Sequence, residues 1–143
     1  LISGDVYDKG IPTIEAVNLL NDFLIQLIDN LKIKVFIISG NHDSKSRLNF
    51  GSKLFEKEGL YIETQYKGRL RKVTLEENNK KINIYMLPYV KPIEIRQYFE
   101  EEINDYNDAI KLIIQKEKIN LFSNQEKVPT AKTVETFLLY CFK

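Results

Sequence analysis

Two short runs carry the residues of this chain that could do chemistry. Gly4-Asp5-Val6-Tyr7-Asp8 stands near its start, and Gly40-Asn41-His42-Asp43 follows one strand–helix–strand interval later. A carboxylate, a carboxamide oxygen and an imidazole make a mixed oxygen and nitrogen ligand set of the kind that Mn, Fe or Zn accepts. A carboxylate such as Asp5 can bridge two divalent ions about 3.5–4 Å apart, and such a pair brings the pKa of a bound water toward neutrality. The same charges offset those on phosphoryl oxygens as a leaving group departs. Gly4 and Gly40 remove side-chain bulk where the backbone must turn beside such a site. Each piece has a plainer reading alone. Gly-Asp after a strand is a common turn, a single histidine is more often structural, and Asp43 could simply cap a helix. The intact tetrad is rarer, arising by chance in roughly one chain in a thousand of this length at ordinary residue frequencies.

The elements around the two runs account for their position. Leu1-Ile2-Ser3 ends a buried strand, and Pro12 suits a first helical position. Ile14, Val17, Leu20, Phe23, Leu24, Leu27, Ile28 and Leu31 then recur at helical spacing, which predicts a helix with one buried face. Residues 34–39 form a β-branched run of parallel-strand character. Strand, helix, strand is a βαβ unit, and functional groups collect at the carboxyl ends of such strands. Ser44 or Asp43 can cap a second helix over 45–57, closed by Gly59. Residues 60–62 read as a strand, 69–75 and 81–87 as a hairpin across Glu77-Asn78-Asn79-Lys80, and 93–103 and 105–118 as helices. Residues 133–142 fit strand or helix equally, beyond the interruption at Val128-Pro129-Thr130. The predicted architecture is a layered α/β domain lacking its first strand.

With 143 residues, 43% hydrophobic and 29% charged, the chain suits a soluble globular domain or a piece of one. No apolar stretch is long enough to span a membrane, and no secretion signal is visible, so a cytoplasmic location without membrane partners is expected. The opening at Leu1 without Met suggests that the natural amino terminus lies upstream. Cys141 is the single cysteine, which excludes an intrachain disulfide and a cysteine-based zinc site. A net charge of +1 gives no global attraction to nucleic acid, so phosphate affinity must be local. His42 is the only histidine, too few for a histidine-rich metal centre.

Gly4-Asp5 and Gly40-Asn41-His42-Asp43 resemble motifs of the calcineurin-like metallophosphoesterase superfamily. The resemblance implies that Asp5 bridges two divalent metals, with Mn2+ expected, that Asn41 binds the second, and that His42 contacts the scissile phosphate. Within that superfamily the chain is similar to SbcD-type nuclease subunits. This rests on Gly4-Asp5-Val6-Tyr7-Asp8 with Gly10 and Pro12, on Ile38-Ser39-Gly40-Asn41-His42-Asp43-Ser44 with Arg47-Leu48, and on Leu87-Pro88-Tyr89-Val90-Lys91-Pro92. It implies phosphodiester hydrolysis at DNA ends and hairpins, an SbcC-like ATPase partner and a homodimer within the complex. The likeness runs over 1–120, a partial nuclease domain, and leaves 121–143 as a divergent tail, read as divergence or a disrupted reading frame. The family's opening Asp-x-His strand and its later histidine motifs have no counterpart here.

Asp8 and Asp43 are expected beside the ligands rather than among them. Lys45 and Arg47 could touch a DNA backbone or form a solvated helix face, and Arg69, Arg71 and Lys72 form a second basic cluster. Tyr7 and Tyr89 could stack on an unpaired base, although packing suits each better. Two other functions use the same residues: hydrolysis of nucleotides or phosphoproteins, and a non-enzymatic remnant that keeps only partner contacts.

Overall fold

The computed structural model describes residues 1–77, 80–117 and 134–140. Strand β1 (Ile2–Ser3) pairs in parallel with β2 (Val35–Ile38), placing Ile2 beside Ile37 and Ser3 beside Ile38. On the other side of β2 runs β3 (Leu60–Glu63), also parallel. A second sheet has the order β4 (Arg71–Glu77), β5 (Lys80–Leu87), β6 (Val134–Tyr140), the first pair antiparallel and the second parallel. All four residues of β2 are buried, which explains a continuous apolar run in place of an alternating one. Phe36 and Ile38 face the second sheet and pack with Ile84, Met86 and Leu139. Val35 and Ile37 face the opposite way, onto Leu48 and the half-buried Leu24, Leu27 and Ile28. Behind the second sheet, Leu87 and Val90 pack with Ile95, Ile103, Ala109 and Ile113. The layers are therefore helix, sheet, sheet, helix. Burial of a side chain such as Ile37 or Ile38, both at 0% exposure, stabilises by about 1.5–3 kcal/mol.

Helix boundaries depart from the sequence expectation for local reasons. Helix α1 spans Ile14–Ile25, with Thr13 rather than Pro12 at its start, and the Thr13 hydroxyl accepts the Ala16 N–H at 3.3 Å. Its last turn widens over Gln26–Asn30. The single buried face expected for it is not found: none of its residues is buried, and Ile14 and Leu19 are 76% and 73% exposed. The helix expected over 45–57 divides into α2 (Lys45–Leu48) and α3 (Ser52–Phe55). Gly51 divides them at φ 71°, a left-handed conformation that side chains disfavour. The helix expected over 93–103 shortens to α4 (Pro92–Ile95) and a tight turn through Tyr98. Helix α5 (Tyr106–Lys116) is capped by Asp105, whose carboxylate accepts the Asp108 N–H at 2.9 Å, while Asp108 accepts the Asn104 N–H.

The hairpin forms, with Glu77 opposite Lys80 and β4 starting at Arg71 rather than at 69. Strand β6 falls where strand and helix fitted equally, and its Leu139 enters the core between the sheets. Residues 121–133 and Cys141, on which part of the reading of the tail fell, lie outside the described residues.

Candidate metal and phosphate site

Parallel pairing of β1 with β2 brings Gly4-Asp5 and Gly40-Asn41 to the same end of one sheet. The chain leaves β1 through two left-handed residues, Gly4 at φ 96° and Asp5 at φ 44°. Such a conformation is uncommon outside glycine and costs about 1–3 kcal/mol. It persists because the surroundings hold it. The Asp5 carboxylate Oδ1 accepts the His42 backbone N–H at 3.0 Å. Asp5 also lies directly over Gly40, where an added Cβ would come within 2.0 Å of Asp5 Oδ1 and 2.2 Å of its backbone N. Glycine is therefore required at position 40 by close approach of the neighbouring loop.

Asp43 joins the same two loops from beneath. Its carboxylate is buried, at 8% exposure. Oδ2 accepts the N–H groups of Gly40 at 2.8 Å and Val6 at 3.1 Å, and Oδ1 accepts that of Tyr7 at 3.0 Å. These are charge-assisted bonds, stronger than bonds between neutral partners. They fill the carboxylate's acceptor capacity from both loops and leave no role as a helix cap. Helix α2 starts at Ser44, which makes no side-chain capping bond. Burial and the neighbouring Asp43 charge raise the Tyr7 pKa above its ordinary value.

The other residues singled out by sequence divide clearly. His42 is exposed and Asn41 half-buried, each in the loop against Asp5. Asp8 is exposed and lines an apolar groove between this loop and α1, with Val6, Pro12, Ala16 and Phe23. Lys45 is not a free cation: its Nζ meets both carboxylate oxygens of Glu94, at 2.8 and 3.0 Å. Burial alone would raise the Glu94 pKa, but the Lys45 and Lys91 partners outweigh it, and the group lies below its ordinary value. Arg47 is exposed. The second basic cluster disperses. Arg71 donates to the Ile62 carbonyl at 3.1 Å, pairs with Glu56 at 2.7 Å and covers the Tyr61 ring, tying β4 to β3. Lys72 lies over Tyr85. Tyr89 is buried with its hydroxyl 2.6 Å from that of Tyr106, so it packs, while its backbone N–H donates to the Ser39 carbonyl beside the site. The Asp43 clamp and the Lys45–Glu94 pair escaped sequence reading. Only the proximity of Asp43 to His42 hinted at the first, and nothing hinted at the second.

A carboxylate, a carboxamide and an imidazole on touching loops fit a divalent cation in kind. In number they are few. Among the described residues, no three His, Cys, Asp or Glu side chains come together to hold a metal by themselves. No helix among those residues is long and apolar enough to cross a membrane.

The profile of the Calcineurin-like phosphoesterase family matches residues 1–137. A protein of Staphylococcus epidermidis, named as the D subunit of the nuclease SbcCD, is 32% identical over 162 aligned residues, covering 100% of this chain and 42% of that protein. Its namesake in Staphylococcus saprophyticus is 31% identical over 155 residues, covering 95% of the chain and 40% of that protein. The chain thus spans about two fifths of the length of these relatives.

Proposed function

The chain belongs to the calcineurin-like phosphoesterase family, whose members use divalent metals, and on that premise we propose that it is part of a metal-dependent DNA nuclease subunit of an SbcCD-like complex. One observation carries the reading: the Asp5 carboxylate is seated on the Gly40–His42 backbone, at the shared end of two parallel strands. In this reading Asp5 and Asn41 hold divalent cations, with Mn2+ the preferred candidate. Cations bound there would supply charge neutralisation at a phosphodiester and bring a water within reach of ionisation at neutral pH. Asp5 uses Oδ1 to fix the His42 backbone, which leaves Oδ2 as its free donor among the described residues. His42, exposed at the mouth of the site, meets a non-bridging phosphate oxygen or assists the leaving group. The Gly4–Asp5 turn resists collapse because both loops are tied to Asp43. Arg47 remains a candidate for backbone phosphates, a role that Lys45 gives up to Glu94.

Partners follow from the relatives' names: an SbcC-like ATPase and DNA, in the cytoplasm. A homodimer belongs to the same reading, supported by the exposed Ile11, Ile14, Phe50 and Leu54 on the helical side of the first sheet. A second reading, a non-enzymatic remnant, draws on the single histidine and the few ligands. Calorimetric titration of the 1–143 chain with Mn2+ separates the two. Weak, saturable uptake that disappears in Asp5→Asn supports the nuclease reading, and no saturable uptake supports the remnant. The chain by itself is expected to cleave hairpin or linear duplex DNA little or not at all. Robust turnover would overturn the view that further donors are needed.

A further inference from the structure

The Asp43 carboxylate touches neither Asp5 nor the His42 N–H, yet it grips the backbone on both sides of their contact. Val6 and Tyr7, the two residues after Asp5, donate to it from one loop, and Gly40, two residues before His42, donates from the other. Between these anchors stands Asp5 at φ 44°, a backbone conformation that an aspartate would leave if released. The Gly40 surface blocks one direction of escape. Fixing Val6 and Tyr7 blocks the return of the chain to extended geometry.

We infer that Asp43 is a positioning residue for the phosphoesterase site: its three-amide clamp holds Asp5 in the left-handed conformation that presents the Asp5 carboxylate to a cation and to the His42 backbone. The inference rests on the metal-site reading above for its purpose, but not for its geometry. Asparagine at position 43 cannot replace the clamp. All three bonds need acceptors, two at one oxygen and one at the other. An amide group turns one of those positions into a donor, so either Tyr7 or both Val6 and Gly40 would face a donor with a donor. Asp43→Glu would preserve the charge but extend the carboxylate by one carbon into a buried position.

The test uses the metal-free 1–143 chain and the His42 amide, which reports the seat of Asp5 through its bond to Oδ1. In Asp43→Asn, nuclear magnetic resonance should show the Val6, Tyr7 and Gly40 amides shifting, and the His42 amide shifting with them and exchanging at least tenfold faster. Gly40→Ala, which displaces Asp5 from the other side, should reproduce the His42 change by an independent route and shows the readout if Asp43→Asn folds poorly. An equally destabilised control, Ile113→Val in the far helical layer, should leave His42 unmoved. The inference is overturned if the Val6 and Tyr7 amides move in Asp43→Asn while His42 keeps its shift and exchange rate, or if the Ile113 control moves His42 as much. Mn2+ titration then separates this from the functional reading. Where the wild-type chain binds, Asp43→Asn should weaken uptake at least tenfold. A wild type that takes up no Mn2+ sinks the nuclease proposal, and the His42 amide still decides the role of Asp43.

Discussion

The two outer helical layers are built from similar parts and end differently. Helix α5 covers the second sheet with Ala109 and Ile113 fully buried, joined by Ile95 and Ile103 from the segment before it. Helix α1 covers the first sheet with more apolar residues and buries none of them fully. An apolar cleft of about 710 Å³ opens between α1 and the α2–α3 pair, lined by Val17, Leu20, Leu24, Ile37, Phe50 and Ile62. Helical periodicity selects which face is apolar, but burial requires a second surface of matching shape. Helix α5 has that surface in Leu87, Val90 and the α4 turn; along α1 only Leu20, Leu24, Leu27 and Ile28 reach even partial burial. Apolar content alone therefore misjudges where the stability of this chain resides.

The contrast can be broken most directly by truncation in each layer. Ile113→Ala should destabilise the chain by about 2–5 kcal/mol, since it leaves a cavity in a closed layer. Leu19→Ala, on the exposed face of α1, should stay within about 0.5 kcal/mol. Urea unfolding followed by circular dichroism measures both. Comparable losses at the two positions would mean that α1 is buried in solution, as it would be inside an oligomer, and a concentration-dependent midpoint would identify that case.

Even the closed layer carries one flaw, and removing it sharpens the comparison. Tyr66 packs edge-on against Tyr98 in the α5 cluster, and among the described residues its buried hydroxyl has no hydrogen-bond partner. Burial, with Glu117 and Tyr98 nearby, pushes its pKa from 10.0 up to about 12. Tyr66→Phe should therefore stabilise by about 1 kcal/mol, the low end of the penalty for an unsatisfied buried polar group. The sign with pH follows from linkage. The folded state resists ionisation that the unfolded chain undergoes near pH 10, so stability is intact below pH 10 and falls as pH rises toward 12. The Phe variant should lose less over that window, read from paired thermal unfolding curves.

What could be read in advance follows the same division. Val35–Ile38 was legible as a strand because burial on both faces leaves an unbroken apolar run. The meeting of Asp5 with the His42 loop was legible because residues at the ends of neighbouring parallel strands have nowhere else to go. The state of α1 was not, because a periodic pattern names a face without naming its partner. The split at Gly51 was signalled by a glycine inside a helical pattern, but only the left-handed φ shows that it divides the helix. Asp43 reaches back 36 and 37 positions to Tyr7 and Val6, a connection that no local pattern encodes.

The smallest expected effect concerns the contact that joins the two sides at the site. Lys45, at the start of α2 beside the open layer, meets Glu94 of α4 in the closed one, across 49 positions. Both side chains are partly exposed, 27% and 40%, so solvent screening keeps the pair within about 0.2–1 kcal/mol. Burial opposes ionisation of Glu94, but the hydrogen bonds and charges of Lys45 and Lys91 prevail, and its pKa lies below the ordinary 4.5. A lowered carboxylate pKa contributes stability that is complete above the unfolded value and is lost as pH falls through the folded one. The wild-type chain should therefore lose this increment between about pH 5 and the lowered pKa of Glu94, whereas Lys45→Met, which keeps the aliphatic stem, should lose little of it. Urea midpoints of the two proteins at pH 7 and at acid pH make the comparison. A constant difference across that range would show that the pair fastens nothing, and that the two layers are held together at this end by the apolar sandwich and the Tyr89–Ser39 backbone bond alone.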